Sequence, residues 1–350
     1  MKVALLRLDA SFHLGMGHLM RCLALAQALF EKRVKPVFVY RNYGSYINKK
    51  LKKYSFEGRK FPAVFSLEED LDFTARLIQE YRAELVMVDL CNNESMKDLS
   101  GYENYLKALG QAGTRLLVID DLNALPFQAD WVLNPNYGAE KLPYINRNQT
   151  KYLLGPKYFL FRQEFSEAVA KQRRIRRQVS RVLVTLGGCD LLNIAPKVIR
   201  ALIQVSKTHH MELVVIYGML ERNNDISFLL NAFNGKYSTC ASSDNMAELM
   251  LWCDLAITAG GLTKYETAIT GTPSIIISQV DHQYELTDLF MREGTALHLG
   301  LGSEVSEEKI RETVEGLLYD YNQRLKMSLN GKRLVDGKGA QRVVEVLTSL

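Results

Sequence analysis

Short, unbroken apolar runs recur along this chain, closed by glycine or an acidic residue, with helically spaced stretches between them. In the first half they fall at residues 3–8, 35–40 (KPVFVY), 84–89 (ELVMVD) and 115–119, the last followed by Asp120-Asp121. Helical patterns lie at 19–30, 71–81 and 102–113. A strand buried on both faces reads as a continuous apolar run. Strands separated by helices of about 10–15 residues make crossover units of a parallel sheet. After the basic stretch 171–177 (KQRRIRR) the pattern restarts. Strands are expected at 181–186 (RVLVTL), 212–217 (ELVVIY), 255–258 and 274–278 (SIIIS), and helices at 194–205, 245–253, 263–270, 306–320 and 339–349. The expected fold is therefore α/β, with two doubly wound, Rossmann-like domains. The boundaries predicted are 1–165 for the first domain, 166–180 for a basic linker and 181–326 for the second domain. A C-terminal helical stretch at 327–350 is free to pack back on the first. Ligands of such sheets bind beyond the carboxyl ends of the strands. A cleft between two facing domains is the expected site.

Composition narrows the function classes. The 350 residues are 47% AVILMFWYC, ample for two cores. The five cysteines, Cys22, Cys91, Cys189, Cys240 and Cys253, are odd in number and include no CxxC pair. That argues against a disulfide framework and a structural zinc site, and for a reducing, cytoplasmic location. The apolar start of MKVALLRLDA is too short for a signal peptide, and no run approaches the ~18 apolar residues of a membrane span. The net charge of +5 is modest, and the basic run carries no interleaved aromatics, so a nucleic-acid partner is not expected.

Three segments could carry chemistry. The first is Gly15-Met16-Gly17-His18, between the first strand and its helix. Glycines there let a ligand approach the backbone, and the helix start favours an anion. It is no dinucleotide fingerprint, because Met20 stands at the third glycine position and the second strand ends in Tyr40-Arg41, without an acid for a ribose. No cofactor is expected. His18 near the positive end of a helix should stay neutral near pH 7 and accept a proton, unless it merely caps or packs. Asp9, at the end of the first strand, could orient His18 or a water, or be a turn residue. The other histidines show no ligand spacing, His13 included, so no metal is assigned.

The second segment combines Gly187-Gly188-Cys189-Asp190 with Ala259-Gly260-Gly261-Leu262-Thr263-Lys264-Tyr265-Glu266. Two glycine pairs at strand ends of one domain can cradle a diphosphate on backbone N–H groups, with Glu266 one turn along to bond ribose hydroxyls. Tight strand–helix turns need glycine in any case, and GxxxxGK[ST] is absent. The third segment is Gln279-Val280-Asp281-His282-Gln283. It could bind sugar hydroxyls, and Asp281 could equally cap a helix.

Taken together, these motifs resemble the PseG/SpsG family. The residues that carry the resemblance are Arg7-Leu-Asp9, Gly15-Met-Gly-His18-Leu-Met-Arg21-Cys22, Asp120-Asp121-Leu and Asn134-Pro-Asn136. Gly155-Pro-Lys-Tyr158, Arg162-Gln-Glu-Phe165, Leu186-Gly-Gly-Cys-Asp190, Asn245-Met-Ala-Glu-Leu and Ala259-Gly-Gly-Leu-Thr263 continue it in order. The resemblance implies a GT-B-like fold similar to MurG, with UDP on the C-terminal domain and the sugar on the N-terminal one. It implies metal-independent hydrolysis of a UDP-linked acetamido sugar at the anomeric carbon, as in pseudaminic acid or surface polysaccharide biosynthesis. His18 maps onto the family's base, and Gly15, Gly17 and Arg21 of the same motif are expected at the ligand. Gly260, Gly261 and Thr263, around Leu262, map onto the phosphate loop, Glu266 onto the ribose ligand, Met246 onto the backbone near the base and Gln283 onto the sugar side. Leu262 replaces a serine usual in the family, Leu191 a proline, and His282 an asparagine. A glycosyltransferase using the same donor is the alternative, and a nucleotide-sugar binding protein without turnover a third reading.

Overall fold

The computed structural model describes residues 1–11, 14–64, 66–90, 98–145, 150–218 and 223–349, so His13 and Cys91 lie outside the described residues. The chain divides into two compact units, residues 1–162 with 338–350, and residues 163–337.

The first unit holds β1 (Val3–Leu8), β2 (Lys35–Arg41), β3 (Glu57–Phe61), β4 (Leu85–Asp89), β5 (Arg115–Ile119), β6 (Trp131–Asn134) and β7 (Lys151–Leu154). They form one parallel sheet in the order β3-β2-β1-β4-β5-β6-β7. Its helices include α1 (Gly17–Glu31), α2 (Tyr46–Lys53), α3 (Leu67–Tyr81) and α4 (Leu99–Gly110). Side chains alternate across a strand, and β1 shows the consequence. Ala4, Leu6 and Leu8 join the core under α1, while Leu5 joins the one under α3 and α4. Phe30, the last apolar residue of the helical pattern at 19–30, is 60% exposed, because α1 buries the side built on Leu19, Cys22, Leu25 and Leu29. Ser66 and Glu69 close a reciprocal capping box at the start of α3.

The second unit begins with α5 (Gln163–Ala168) and β8 (Arg181–Thr185), followed by α6 (Ala195–Ser206), β9 (Met211–Ile216), α7 (Asn223–Leu230), β10 (Gly235–Cys240), α8 (Met246–Trp252) and β11 (Leu255–Ala259). It continues with α9 (Thr263–Thr270), β12 (Ser274–Ser278), α10 (Asp281–Met291), β13 (Leu297–Leu301), α11 (Glu307–Tyr319) and α12 (Tyr321–Leu334). Its parallel sheet runs β10-β9-β8-β11-β12-β13. In both sheets the strand order reverses once, beside β1 and β4 and beside β8 and β11. Loops leaving those strands diverge and open a crevice at the carboxyl edge.

Two boundaries differ from the sequence expectation. Residues 166–180 are not free linker but part of the second unit. Arg173 donates to the carbonyls of Met250 and Cys253, Arg176 pairs with Asp254 at 2.8 Å, and Arg324 donates to the carbonyls of Arg176 and Arg177. The basic run thus finds acceptors on its own unit. The expected break at 326/327 falls inside α12, which packs on α9. Only α13 (Gly339–Thr348) belongs with the first unit, where Ala340, Val343, Val344 and Leu347 join the core that α1 covers. Gly339 sits so close to the Phe159 carbonyl that a Cβ would lie 2.2 Å from it, which leaves no room for a side chain. Among the described residues no helix is long and apolar enough to cross a membrane.

Candidate functional site

In the first unit the chemistry gathers at the reversal of strand order. The register Leu8↔Asp89 puts the ends of β1 and β4 side by side. Gly15, at φ +82°, donates its N–H to the Ser11 carbonyl at 2.9 Å. Gly17 then opens α1, whose first turn has no side-chain cap and no acidic residue. His18, the second residue of that helix, places Nδ1 2.7 Å from Oδ1 of Asp89, which is fully buried at the end of β4.

Asp89 is held from four sides. Arg21 Nε donates to its Oδ2 at 2.7 Å and Arg21 Nη2 to its Oδ1 at 2.5 Å, and the Cys22 thiol lies 3.6 Å from Oδ2. Arg21 also forks onto Asp121, at 2.8 and 2.9 Å, and Asn136 donates to that same carboxylate at 2.9 Å. Burial alone would raise both acids, but Arg21, helped by His18, outweighs it and holds Asp89 far below, and Asp121 below, the usual carboxylate range. An ionised carboxylate only accepts, so the proton of the neutral ring sits on Nδ1 and Nε2 is left with its lone pair. The 3.1 Å approach of Arg21 Nη2 to Nδ1 is then a close contact rather than a hydrogen bond. With Nδ1 on the carboxylate the imidazole can accept a proton at Nε2, and Gly15, Gly17 and His18 are half-exposed.

Two sequence expectations are corrected here. Asp9 does not orient His18. It is buried on the other side of β1, bound by Nη1 and Nη2 of Arg7 at 2.7 and 3.0 Å and by the Arg41 backbone N–H at 3.0 Å. The orienting acid is Asp89, marked in the sequence only as the last residue of an apolar run. Arg21, expected at the ligand, is 4% exposed and turned onto the carboxylates of Asp89 and Asp121. Asp120 joins this cluster only through Tyr144, Asn134 and Asn136 among the bonds seen. It accepts from Tyr144 and from the N–H groups of Leu122 and Asn123, and burial pushes it up.

A pH dependence follows from Asp89. Its folded value lies below its unfolded value of about 4, so its stabilisation is present above that pH and is lost as pH falls through it. The melting-temperature gap between the wild type and Asp89→Asn should therefore be full at neutral pH and shrink progressively below pH ~4. A gap independent of pH would remove this role for the charge.

In the second unit, the loops after β8, β11 and β12 converge. Gly187, at φ +84°, lies 4.0 Å at its Cβ position from the Ala259 side chain. Gln279 staples the loops, donating to the Leu186 carbonyl at 2.6 Å and accepting from the Leu191 N–H at 2.9 Å. Gln283 accepts from the Gln279 N–H at 3.2 Å, and its amide lies 3.9 Å from the Cβ position of Gly261. Gly260 has no room for a side chain, since a Cβ would sit 2.7 Å from Ser278 Oγ and Thr287 Oγ1.

The two glycine pairs then diverge in chemistry. The first N–H groups of α6, beyond Gly187-Gly188, are taken by Asp190, which accepts from Ile194 and Ala195 at 2.8 and 2.7 Å. The start of α9 has no side-chain cap. An uncapped helix start of this kind can hold an anion on the N–H groups of Gly260, Gly261, Leu262 and Thr263. Leu262, Thr263 and Glu266 share the half-exposed face of α9, while Lys264, Tyr265 and Thr267 are buried. Met246 opens α8 and is 9% exposed. Asp281 is the first residue of α10 rather than its cap, is exposed, and makes no capping bond, because Val280 holds the cap position. Among the described residues no group of three or more His, Cys, Asp or Glu could hold a metal ion.

Residues 181–343 match the glycosyltransferase family 28 C-terminal domain. The spore coat polysaccharide biosynthesis protein SpsG of Bacillus subtilis (strain 168) is 26% identical over 98% of this chain and 96% of its own length. An uncharacterized protein of Methanocaldococcus jannaschii is 27% identical over 85% of this chain, which spans only 60% of that longer protein. Among solved structures, Acinetobacter baumannii MurG superposes with a TM-score of 0.69 at 14% identity over 100% of both chains. The S. aureus MnaA–UDP structure gives 0.68 at 12% identity over 100% of this chain and 96% of that one. The chain thus has a MurG-like GT-B fold and is similar over almost its whole length to SpsG, as the motifs of the sequence implied, and its residues 181–343 match the glycosyltransferase family 28 C-terminal domain.

Proposed function

We propose that this chain cleaves a UDP-linked (acet)amido deoxy sugar at its anomeric carbon with water, releasing UDP and the free sugar, in surface polysaccharide or nonulosonic acid biosynthesis. The observation that carries the reading is His18 seated on Asp89 at 2.7 Å with Nε2 left to accept a proton. As the water oxygen bonds to the anomeric carbon, Nε2 takes its proton. The bond from that carbon to the diphosphate breaks, and its electron pair leaves with UDP. Asp89 stays ionised against the imidazolium that forms. The uncapped start of α9 stabilises the departing diphosphate, and Glu266 on the same face reaches the ribose. The UDP in the similar MnaA structure and the polysaccharide pathway of SpsG support the nucleotide and the setting. The acetamido sugar and the water come from the motif resemblance.

The family 28 domain favours a second reading, in which the same base deprotonates an acceptor alcohol and the chain transfers the sugar. Mass spectrometry of a panel of UDP-sugars incubated with the protein and no acceptor separates them. UDP and free sugar are expected in equal amounts. UDP release only when an alcohol is added would establish the transferase instead, and UDP binding with no turnover on any donor would overturn both.

A further inference from the structure

The one lysine at the start of α9 is turned inward, not toward the anion site. Lys264 is 2% exposed, beside the rings of Tyr265 and Phe290, with Nζ 5.5 and 6.0 Å from their centroids. Its Nζ donates to the Gly260 carbonyl at 3.0 Å, and Thr287 Oγ1 donates to that same carbonyl at 3.2 Å. Nζ and Thr287 Oγ1 are themselves 3.5 Å apart.

The geometry has a consequence for the peptide that joins Gly260 to Gly261. In a planar trans peptide the C=O and the N–H point in opposite directions. Two donors that draw the Gly260 carbonyl inward therefore turn the Gly261 N–H outward. Gly260 is free to hold this orientation only because no Cβ competes with Ser278 and Thr287 for the space. The ammonium also places a desolvated positive charge behind the N-terminus of α9, where it adds to the helix dipole.

We infer that Lys264, with Thr287, is a positioning residue for a nucleoside diphosphate: it sets the Gly261 N–H toward the phosphates and reinforces their binding electrostatically without touching them. The inference rests on the reading that the α9 loop takes the diphosphate. A lysine that merely fills the core would affect folding and leave phosphate discrimination alone.

The test is titration calorimetry of the wild-type chain, Lys264→Met and Thr287→Val with UDP, UMP and uridine, beside a melting curve of each. Lys264→Met keeps an apolar stem of similar length and removes the charge. Thr287→Val keeps the shape and the charge and removes one donor. UDP affinity is expected to fall roughly ten- to hundredfold in Lys264→Met, the span of a lost charged hydrogen bond. UMP should lose less, uridine should be unchanged, and Thr287→Val should lose UDP affinity by a smaller factor. If Lys264→Met does not fold, Thr287→Val still decides, since its loss must grow from uridine to UDP. Equal losses for all three ligands, or none, would overturn the inference while leaving the proposed function standing. A wild-type chain that binds none of the three would overturn both.

Discussion

Asp89→Asn is expected to lower kcat by about 10²–10⁴, the contribution of a well-placed general base, with UDP binding unchanged. An asparagine amide can donate to Nδ1 where the carboxylate could only accept. The ring proton then moves to Nε2, the one nitrogen that must be free to take a proton. The substitution also removes the negative charge that faces the imidazolium. His18→Ala should fall by a similar factor, and the double variant should be no slower than either single one, because the two residues act as a unit. Steady-state rates of UDP release for the three variants check this. A double variant whose losses multiply would show that Asp89 acts independently of His18.

The largest effect on stability is expected at Arg7→Met. Arg7 is fully buried on β1, between Asp9 and Asp70. Asp70 also accepts from Tyr105 at 3.0 Å and Thr74 at 3.2 Å, and Arg41 stands 3.5 Å from Asp9 and 3.7 Å from Asp70. Two arginines and two aspartates thus balance inside the first unit. Methionine fills the same channel but leaves two buried carboxylates facing one arginine. Breaking a buried pair in this way costs about 3–5 kcal/mol, which for a unit of this size is a fall of roughly 6–20 °C in the melting transition. Adding Asp70→Asn to Arg7→Met should recover part of the loss, since it removes the charge left without its partner. An unchanged transition in Arg7→Met would show that the network contributes no net stability.

The strands read correctly from the sequence are β1, β2, β4, β5, β8, β9, β11 and β12. Seven of these eight keep every strand residue after the first buried, and the eighth, β9, departs only at its second residue, Glu212. The strands that sequence reading passed over include all four sheet edges. These are β3 (EGRKF), β7 (KYLL), β10 (GKYSTC) and β13 (LHLGL). An edge strand borders solvent, so its residues need not be uniformly apolar and no unbroken run announces it. The fifth, β6 (WVLN), is fully buried but only four residues long. The linker was misplaced for a related reason. A run of arginines reads as solvated surface until the carbonyls and the aspartate that receive them are known.

The site divides along the same line. Local signals single out His18, the turn glycines Gly15 and Gly187, and the α9 loop as candidates, because a helix start and a positive φ are properties of a few consecutive residues. Asp89, Asp121 and Asn136 lie 71, 103 and 118 positions beyond His18, and nothing local links them to it. Asp9 stood closest in sequence and was the natural candidate. Yet side chains alternate across a strand, and the residues at the end of β1 lead to opposite faces of the sheet. Asp9 meets Arg7 and Arg41, whereas the neighbouring strand end delivers Asp89 to the histidine. What the sequence determined alone is the alternation of buried strands and helices, hence two doubly wound sheets and the loops that leave them. Which acid faces the base, which carboxylates hold Arg21, and which helix start is left open were decided by strand order and register, because only the folded sheet brings those residues within bonding distance.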